Sequence, residues 1–289
     1  MASGASEFKF YHYDPSMTAA VVFIACFLIT TALHTYQFIR TRTWFLIPLV
    51  IGGFFEWIGY VGRAISSQQS PNWTLGPYLI QTLLLLVAPA LFAASIYMAL
   101  GRIILLVDGE QHSLIRKRWL TKIFVCGDVI SFFAQGAGGG IQASGTATSL
   151  TTGSHIIVGG LFVQLIFFGL FIIVAIVFHM RMHSAPTVAS LSVPWKTHMY
   201  TLYATSLLIM IRSIFRVVEY LQGFSGYILS HEIYLYIFDA CLMFAVMVIF
   251  NFIHPSEIQA LLKGGKAANK GWRMNELQGK HQRVSNYEV

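Results

Sequence analysis

Residues 200–221 read YTLYATSLLIMIRSIFRVVEYL, an apolar run broken only by Arg212, Arg216 and Glu219 among its charged positions. At ~1.5 Å of rise per residue such a run crosses a hydrocarbon core ~30 Å thick. The three charges stand at i, i+4 and i+7, so a helix carries them on one face. A charge at membrane depth costs at least ~2.5–3.5 kcal/mol on insertion scales and therefore needs a partner or a wet cavity. Two readings follow. The charges lock a bundle as a structural ion-pair network, or they line a polar cavity that handles a ligand.

The rest of the chain fits that membrane setting. Of 289 residues, 56% are hydrophobic and 11% charged, where a soluble domain carries about 25% charged residues. Mean hydropathy is +0.64. Spans of roughly 20 apolar residues are the unit to count. They fall at about 17–39, 44–65, 78–106, 120–143, 155–180, 199–221 and 232–254. The expected fold is all-α, a polytopic membrane protein built as one seven-transmembrane-helix bundle. Residues 1–16 form an N-terminal segment, 17–254 the membrane domain, and 255–289 a basic tail expected to be disordered. The first run lacks a basic flank and a small-residue cleavage site, so it reads as a retained helix. Cys26, Cys126 and Cys241 all lie in apolar runs, with no disulfide or zinc-type spacing. Pro48 and Pro89 are candidate kinks.

Orientation follows from lysine and arginine. Arg40 and Arg42, then Arg102, Arg116, Lys117, Arg118 and Lys122, then Arg181 and Lys196, then six basic residues from Lys263 to Arg283 share one side of the bundle. The opposite side has Lys9, with Arg63 at a helix end. The positive-inside rule then puts the N-terminus outside and the tail in the cytosol. The Asn72-Trp73-Thr74 sequon falls on the outer side.

Polar residues inside the spans keep a heptad step. Glu56 and Arg63, Asp128 and Gln135 and Gln142, and Glu232 and Asp239 each recur every seven residues. Gln81 joins them from the third run. Stripes in phase on four helices are expected to face one another. Counting rise places Glu56, Arg212 and Asp239 at one level, ~18 Å from the cytosolic edge. Arg63, Arg216, Glu219 and Glu232 form a layer nearer the outer edge, and Asp128 lies a little deeper with Gln135 above it. The expectation is one polar vestibule open toward the outer leaflet, with an acidic floor. The candidate substrate-binding residues are Glu56, Arg63, Gln81, Asp128, Gln135, Arg212, Arg216, Glu219, Glu232 and Asp239. Glu56, Asp128 and Asp239 are candidate proton carriers. The acids Glu56, Asp128, Glu219, Glu232 and Asp239 outnumber the bases Arg63, Arg212 and Arg216 by two. The surplus favours a cationic ligand or protonated carboxyls, because an isolated buried charge is too costly.

Glycines crowd the fourth run after Gln135, as Gly136-Ala137-Gly138-Gly139-Gly140. Such a run suits close helix contact, a local break, or room for a bulky ligand. His179 and His183 stand one helical turn apart, but no HExxH accompanies them, and no metal or other cofactor is expected. The chain has neither a GxxxxGK[ST] phosphate loop nor a GxSxG elbow, so neither ATP binding of that kind nor enzymatic chemistry has support.

FEWIGYVGR at 55–63, the run 78–103, GDVISFFAQGAGGGIQ at 127–142, RSIFRVVEY at 212–220, EIYLYIFDA at 232–240 and the closing His254-Pro255 carry a resemblance. In combination they are similar to the fungal lipid-translocating exporter family, the group of sphingoid long-chain-base exporters and aminocholesterol-resistance proteins. The resemblance implies a seven-helix protein of a fungal plasma membrane or endomembrane that exports amphipathic lipids and confers resistance to toxic ones. Its partners would be the bilayer and an amphipathic lipid, with a cationic head preferred from the charge surplus, and no nucleic acid. A seven-helix sensor that binds lipid and signals fits the same features.

Overall fold

The computed structural model describes residues 11, 13–142, 146–223 and 226–264, and among these all regular structure is helical. The helices are α1 (Met17–Thr41), α2 (Ile47–Gln68), α3 (Leu75–Leu106), α4 (Lys117–Gln142), α5 (Ala147–Ser184), α6 (Val188–Ser192), α7 (Trp195–Leu221), α8 (Glu232–Leu235), α9 (Leu242–Phe252) and α10 (Ser256–Leu262). A widened π turn, Tyr236–Cys241, joins α8 to α9. Among the described residues seven spans are long and apolar enough to cross a membrane, the last running from Glu232 to Leu262.

The bundle buries a large apolar core together with most of its intramembrane polar residues, and its outer surface is apolar as well. On α4, Asp128, Ser131, Gln135 and Gln142 are buried, while Ile130 and Phe133 are 52% and 67% exposed. On α7, Thr205, Arg212, Ser213 and Glu219 are buried, while Leu207 and Ile214 face outward. Water would penalise such a surface by roughly 25 cal/mol per Å²; lipid does not. The chain is an integral membrane protein.

Three local features position the interior. α1 starts where the Ser16 hydroxyl accepts from the Ala19 amide, and the Ser16 amide itself donates to both oxygens of Glu232, at 2.8 and 3.0 Å. α4 and α5 touch at backbone distance, since a Cβ on Gly138 would meet the Gly153 carbonyl at 2.6 Å. Pro89 sits inside α3 and has no N–H for the Leu85 carbonyl four residues earlier. That carbonyl turns to α7 for its donor.

Several boundaries differ from those expected. Pro48 lies in the first turn of α2, where its missing N–H costs nothing, and so is no kink. The glycine run does not break α4, which continues to Gln142. α5 begins at Ala147 instead of near 155, because the polar stretch 148–154 follows a capping box between Thr146 and Ser149. Within the segment assigned to the tail, Ser256–Leu262 is helical, with Ile258 and Ala260 buried and Gln259 accepting from Arg102 of α3. Residues 265–289 lie outside the described residues.

Candidate functional site

Arg212 is the centre of the interior. It is 2% exposed, and its Nε donates to Asp239 Oδ1 in a buried ion pair. Its Nη2 donates to the Leu85 carbonyl at 3.0 Å, the one left free by Pro89. Asp239 lies in the π turn, which rotates the start of the seventh span relative to α9. A defect in α3, a defect in the last span and the arginine of α7 thus satisfy one another.

This pair forms part of the wall of an open-mouthed polar chamber. Two arginines and two carboxylates face it: Arg212 with Asp239, and Arg216 with Glu219 at 2.6 Å. Gln81 also lines it and accepts from the Tyr11 hydroxyl at 2.9 Å. Tyr11 and Tyr13, just before α1, are therefore part of the chamber wall. Burial pushes both hydroxyls above the ordinary tyrosine value, with Arg63 pulling the other way, so both stay protonated donors. A side chamber adjoins the polar one and is lined by Gln135, three glycines of α4 and leucines of α3.

The family profile described as "RTA1 like protein" matches residues 49–261, which contain both chambers apart from the N-terminal tyrosines. The chain belongs to the RTA1-like family. Among its relatives in Saccharomyces cerevisiae, Protoporphyrin uptake protein 1 is 40% identical over 87% of this chain and 93% of its own length. The Sphingoid long-chain base transporter RSB1 is 27% identical over 83% of this chain and 72% of its own. Probable lipid transporter atnI of Emericella nidulans is 31% identical over 85% and 67%. No solved structure matches the chain.

In this RTA1-like protein the single vestibule expected from the stripes is divided. Gln81, Arg212, Arg216, Glu219 and Asp239 line the polar chamber, and Gln135 lines the side chamber. Arg63 and Glu232 form a separate knot outside both. Arg63 is fully buried, its Nη2 lying 2.7 Å from Glu232 Oε1 and 2.8 Å from the Tyr13 hydroxyl, while its Nε donates to the Tyr236 hydroxyl at 3.0 Å. Glu56 and Asp128 line neither chamber. Glu56 is fully buried with no hydrogen-bond partner at either oxygen, and Asp239 and Arg212 are the charges that act on it. Asp128 accepts from the Tyr97 hydroxyl at 3.0 Å amid Phe124, Phe168 and Phe171. A heptad stripe tells which face turns inward but not which neighbour it meets; α3 stands between the Asp128 cluster and the Glu56 level.

The surplus acids can now be named. Each of the three arginines has a carboxylate partner, Arg63 with Glu232, Arg212 with Asp239 and Arg216 with Glu219. Among the described residues Glu56 and Asp128 form no ion pair of their own. Of the acids, Asp239 and Glu219 line the polar chamber and Glu56 does not.

The histidines do other work. His34 Nε2 lies 2.9 Å from the Met247 carbonyl, His179 Nδ1 3.2 Å from the Tyr203 hydroxyl, and His198 Nε2 3.2 Å from Glu257. Among the described residues no three His, Cys, Asp or Glu side chains are placed to hold a metal. Tyr11, Tyr13, Tyr78 and Tyr220 of the chamber lining were not among the expected site residues. Their only sequence signal is an aromatic side chain with a polar tip near a span end, which interfacial tyrosines share.

Proposed function

We propose that this protein translocates amphipathic lipids, holding the polar head in the chamber between Arg212 and Tyr11 while the chain stays among apolar side chains. The observation that carries this is the chamber itself: two arginine–carboxylate pairs face an open cavity where packed apolar side chains would be cheaper. Relatives named for sphingoid-base and lipid transport support the same direction. Without a phosphate-loop motif, movement would run by exchange, proton coupling or downhill flow, with Asp239 and Glu56 as the groups close to the head and Asp128 further off.

The head preferred is a cation. Arg212 with Asp239 and Arg216 with Glu219 balance, so the preference rests on Glu56, the unpaired carboxyl beside Asp239. An ammonium at Asp239 would make ionisation of Glu56 less costly, and an anion would make it more so. In competition against a labelled sphingoid base, an unlabelled sphingoid base should displace best. Its N-acetylated analogue should do so roughly tenfold less well, the scale of a single charge-assisted hydrogen bond. An anionic lipid of equal chain length should be weaker still. Equal displacement by all three contradicts the preference.

We also infer the orientation, N-terminus outside and tail in the cytosol of a plasma membrane or endomembrane. The basic loops at Arg40–Arg42, Arg116–Lys122 and Arg181–Lys196 support it. A protease-cleavable tag after Val289 should be cut only from the cytosolic side, and one before Asp14 only from outside. The opposite pattern would reverse the assignment.

A further inference from the structure

We propose that the side chamber is a lateral port, in which the chain of the amphiphile lies between α3 and α4 and Gln135 accepts a hydrogen bond from a donor where chain meets head. This rests on the translocation reading above and goes beyond it in naming a second subsite and the ligand feature it reads.

The two chambers adjoin. Tyr78, Thr82, Leu86, Gln142, Arg216 and Tyr220 line both. A head held at Asp239 in one therefore stands next to the residues that border the other. The side chamber is otherwise apolar, and its α3 rim is exposed, with Leu79 at 37% and Leu83 at 38%. Exposed positions on this bundle face the bilayer, so the rim is a door for lipid.

The α4 side is built from absence of side chains. Gly136, Gly139 and Gly140 line the chamber, and a Cβ on any of them would meet nothing within 4 Å. Gly138, on the other face of the same turn, is the one pressed against α5. Close helix packing therefore explains Gly138 and not the other three. They leave space that no protein atom fills.

Gln135 supplies the independent observation. It is 5% exposed, lines the chamber, and its Oε1 is buried without a partner. The orientation of its amide follows from its neighbours. Ser131 uses its one hydroxyl proton on the Gly160 carbonyl at 2.6 Å, so it can only accept from Gln135 Nε2, also at 2.6 Å. Nε2 also points to Gln164 Oε1 at 3.3 Å. The oxygen is thereby left without a protein donor, and a turn of the side chain toward the chamber it lines would bring it to a ligand. A hydroxyl or amide N–H on the ligand, one or two bonds from its charged head, would satisfy it. The ligand class is a single-chain amphiphile carrying such a donor.

The test uses the full chain in lipid nanodiscs. The probes are a long-chain primary alkylamine with a diazirine at its chain terminus and the 2-hydroxy form of the same molecule, each competed by its unlabelled counterpart. Competed adducts are expected on Leu79, Leu83 and the peptide around Gly139, and the hydroxylated probe should bind about three- to tenfold better, the worth of one net hydrogen bond. Gly139→Leu and Gly136→Leu fill empty space and should leave a monodisperse, heat-stable protein while abolishing competed labelling in the slot. Gln135→Met should erase the preference for the hydroxylated probe while the simple alkylamine still labels. Competed adducts found elsewhere on the protein but not in this slot would overturn the port and leave translocation standing. An unchanged preference in Gln135→Met would overturn the role of Gln135. No competed adduct anywhere would overturn both the port and the reading it rests on.

Discussion

Arg212→Ala should destabilise the protein by about 3–5 kcal/mol and remove most of its folded yield. The substitution takes away two things at once. Asp239, whose side chain is only 8% exposed, loses its cation. The Leu85 carbonyl, already without a helical donor because of Pro89, loses the Nη2 that replaced it. Replacing the pair by apolar side chains of similar size, Arg212→Met with Asp239→Leu, should restore much of the stability, because a buried pair costs nearly as much to desolvate as it returns. The double variant should fold and fail to transport. Size-exclusion profiles after a heating series check both, and a single variant as heat-stable as the parent would show that the pair does not hold the bundle.

Arg63→Ala should have an effect of similar size, about 3 kcal/mol or more, by a different route. Arg63 is fully buried and serves Glu232, Tyr13 and Tyr236 together, within 5.3 Å of the Tyr236 ring and 5.5 Å of the Tyr13 ring. Glu232 in turn holds the Ser16 amide at the start of α1. Losing the arginine unties the N-terminal segment, and with it Tyr11 and Tyr13 at the chamber. Arg63→Lys should recover only part of the loss, because an ammonium cannot reach three partners from a planar fork. The distinguishing measurement is proteolysis: cleavage before Ser16 should become faster in Arg63→Ala even in conditions where the bundle stays folded. Equal cleavage in the variant and the parent would detach the knot from the N-terminal segment.

Much of this architecture was legible because membrane depth forces it. Apolar runs of span length named all seven crossings, and polar residues in heptad phase named the inward faces. Arithmetic on the charges left two acids over, and the structure identifies them as Glu56 and Asp128. What was not legible depends on who meets whom. Arg63, Arg216, Glu219 and Glu232 share a level, yet they form two separate pairs, because one lies between α2 and α8 and the other within a turn of α7. Asp128 points to Tyr97 on α3 and not to the Glu56 level. The start of α5 was missed because the Thr-Thr-Gly-Ser stretch at 151–154 is too polar for a hydropathy window, although it packs on α4 through Gly153. Tyr11 and Tyr13 lie in a segment with no periodicity, so nothing in the sequence ties them to a chamber that tertiary structure assembles.

The most direct test of the central claim is movement of lipid by the purified protein. In proteoliposomes carrying a fluorescent sphingoid base in one leaflet, the full chain should speed its appearance in the other leaflet well above the protein-free rate. The folded Arg212→Met, Asp239→Leu variant should return the rate to that of empty vesicles. Saturable binding of the labelled base by the full chain, with movement no faster than in protein-free vesicles, would contradict translocation and leave a lipid sensor.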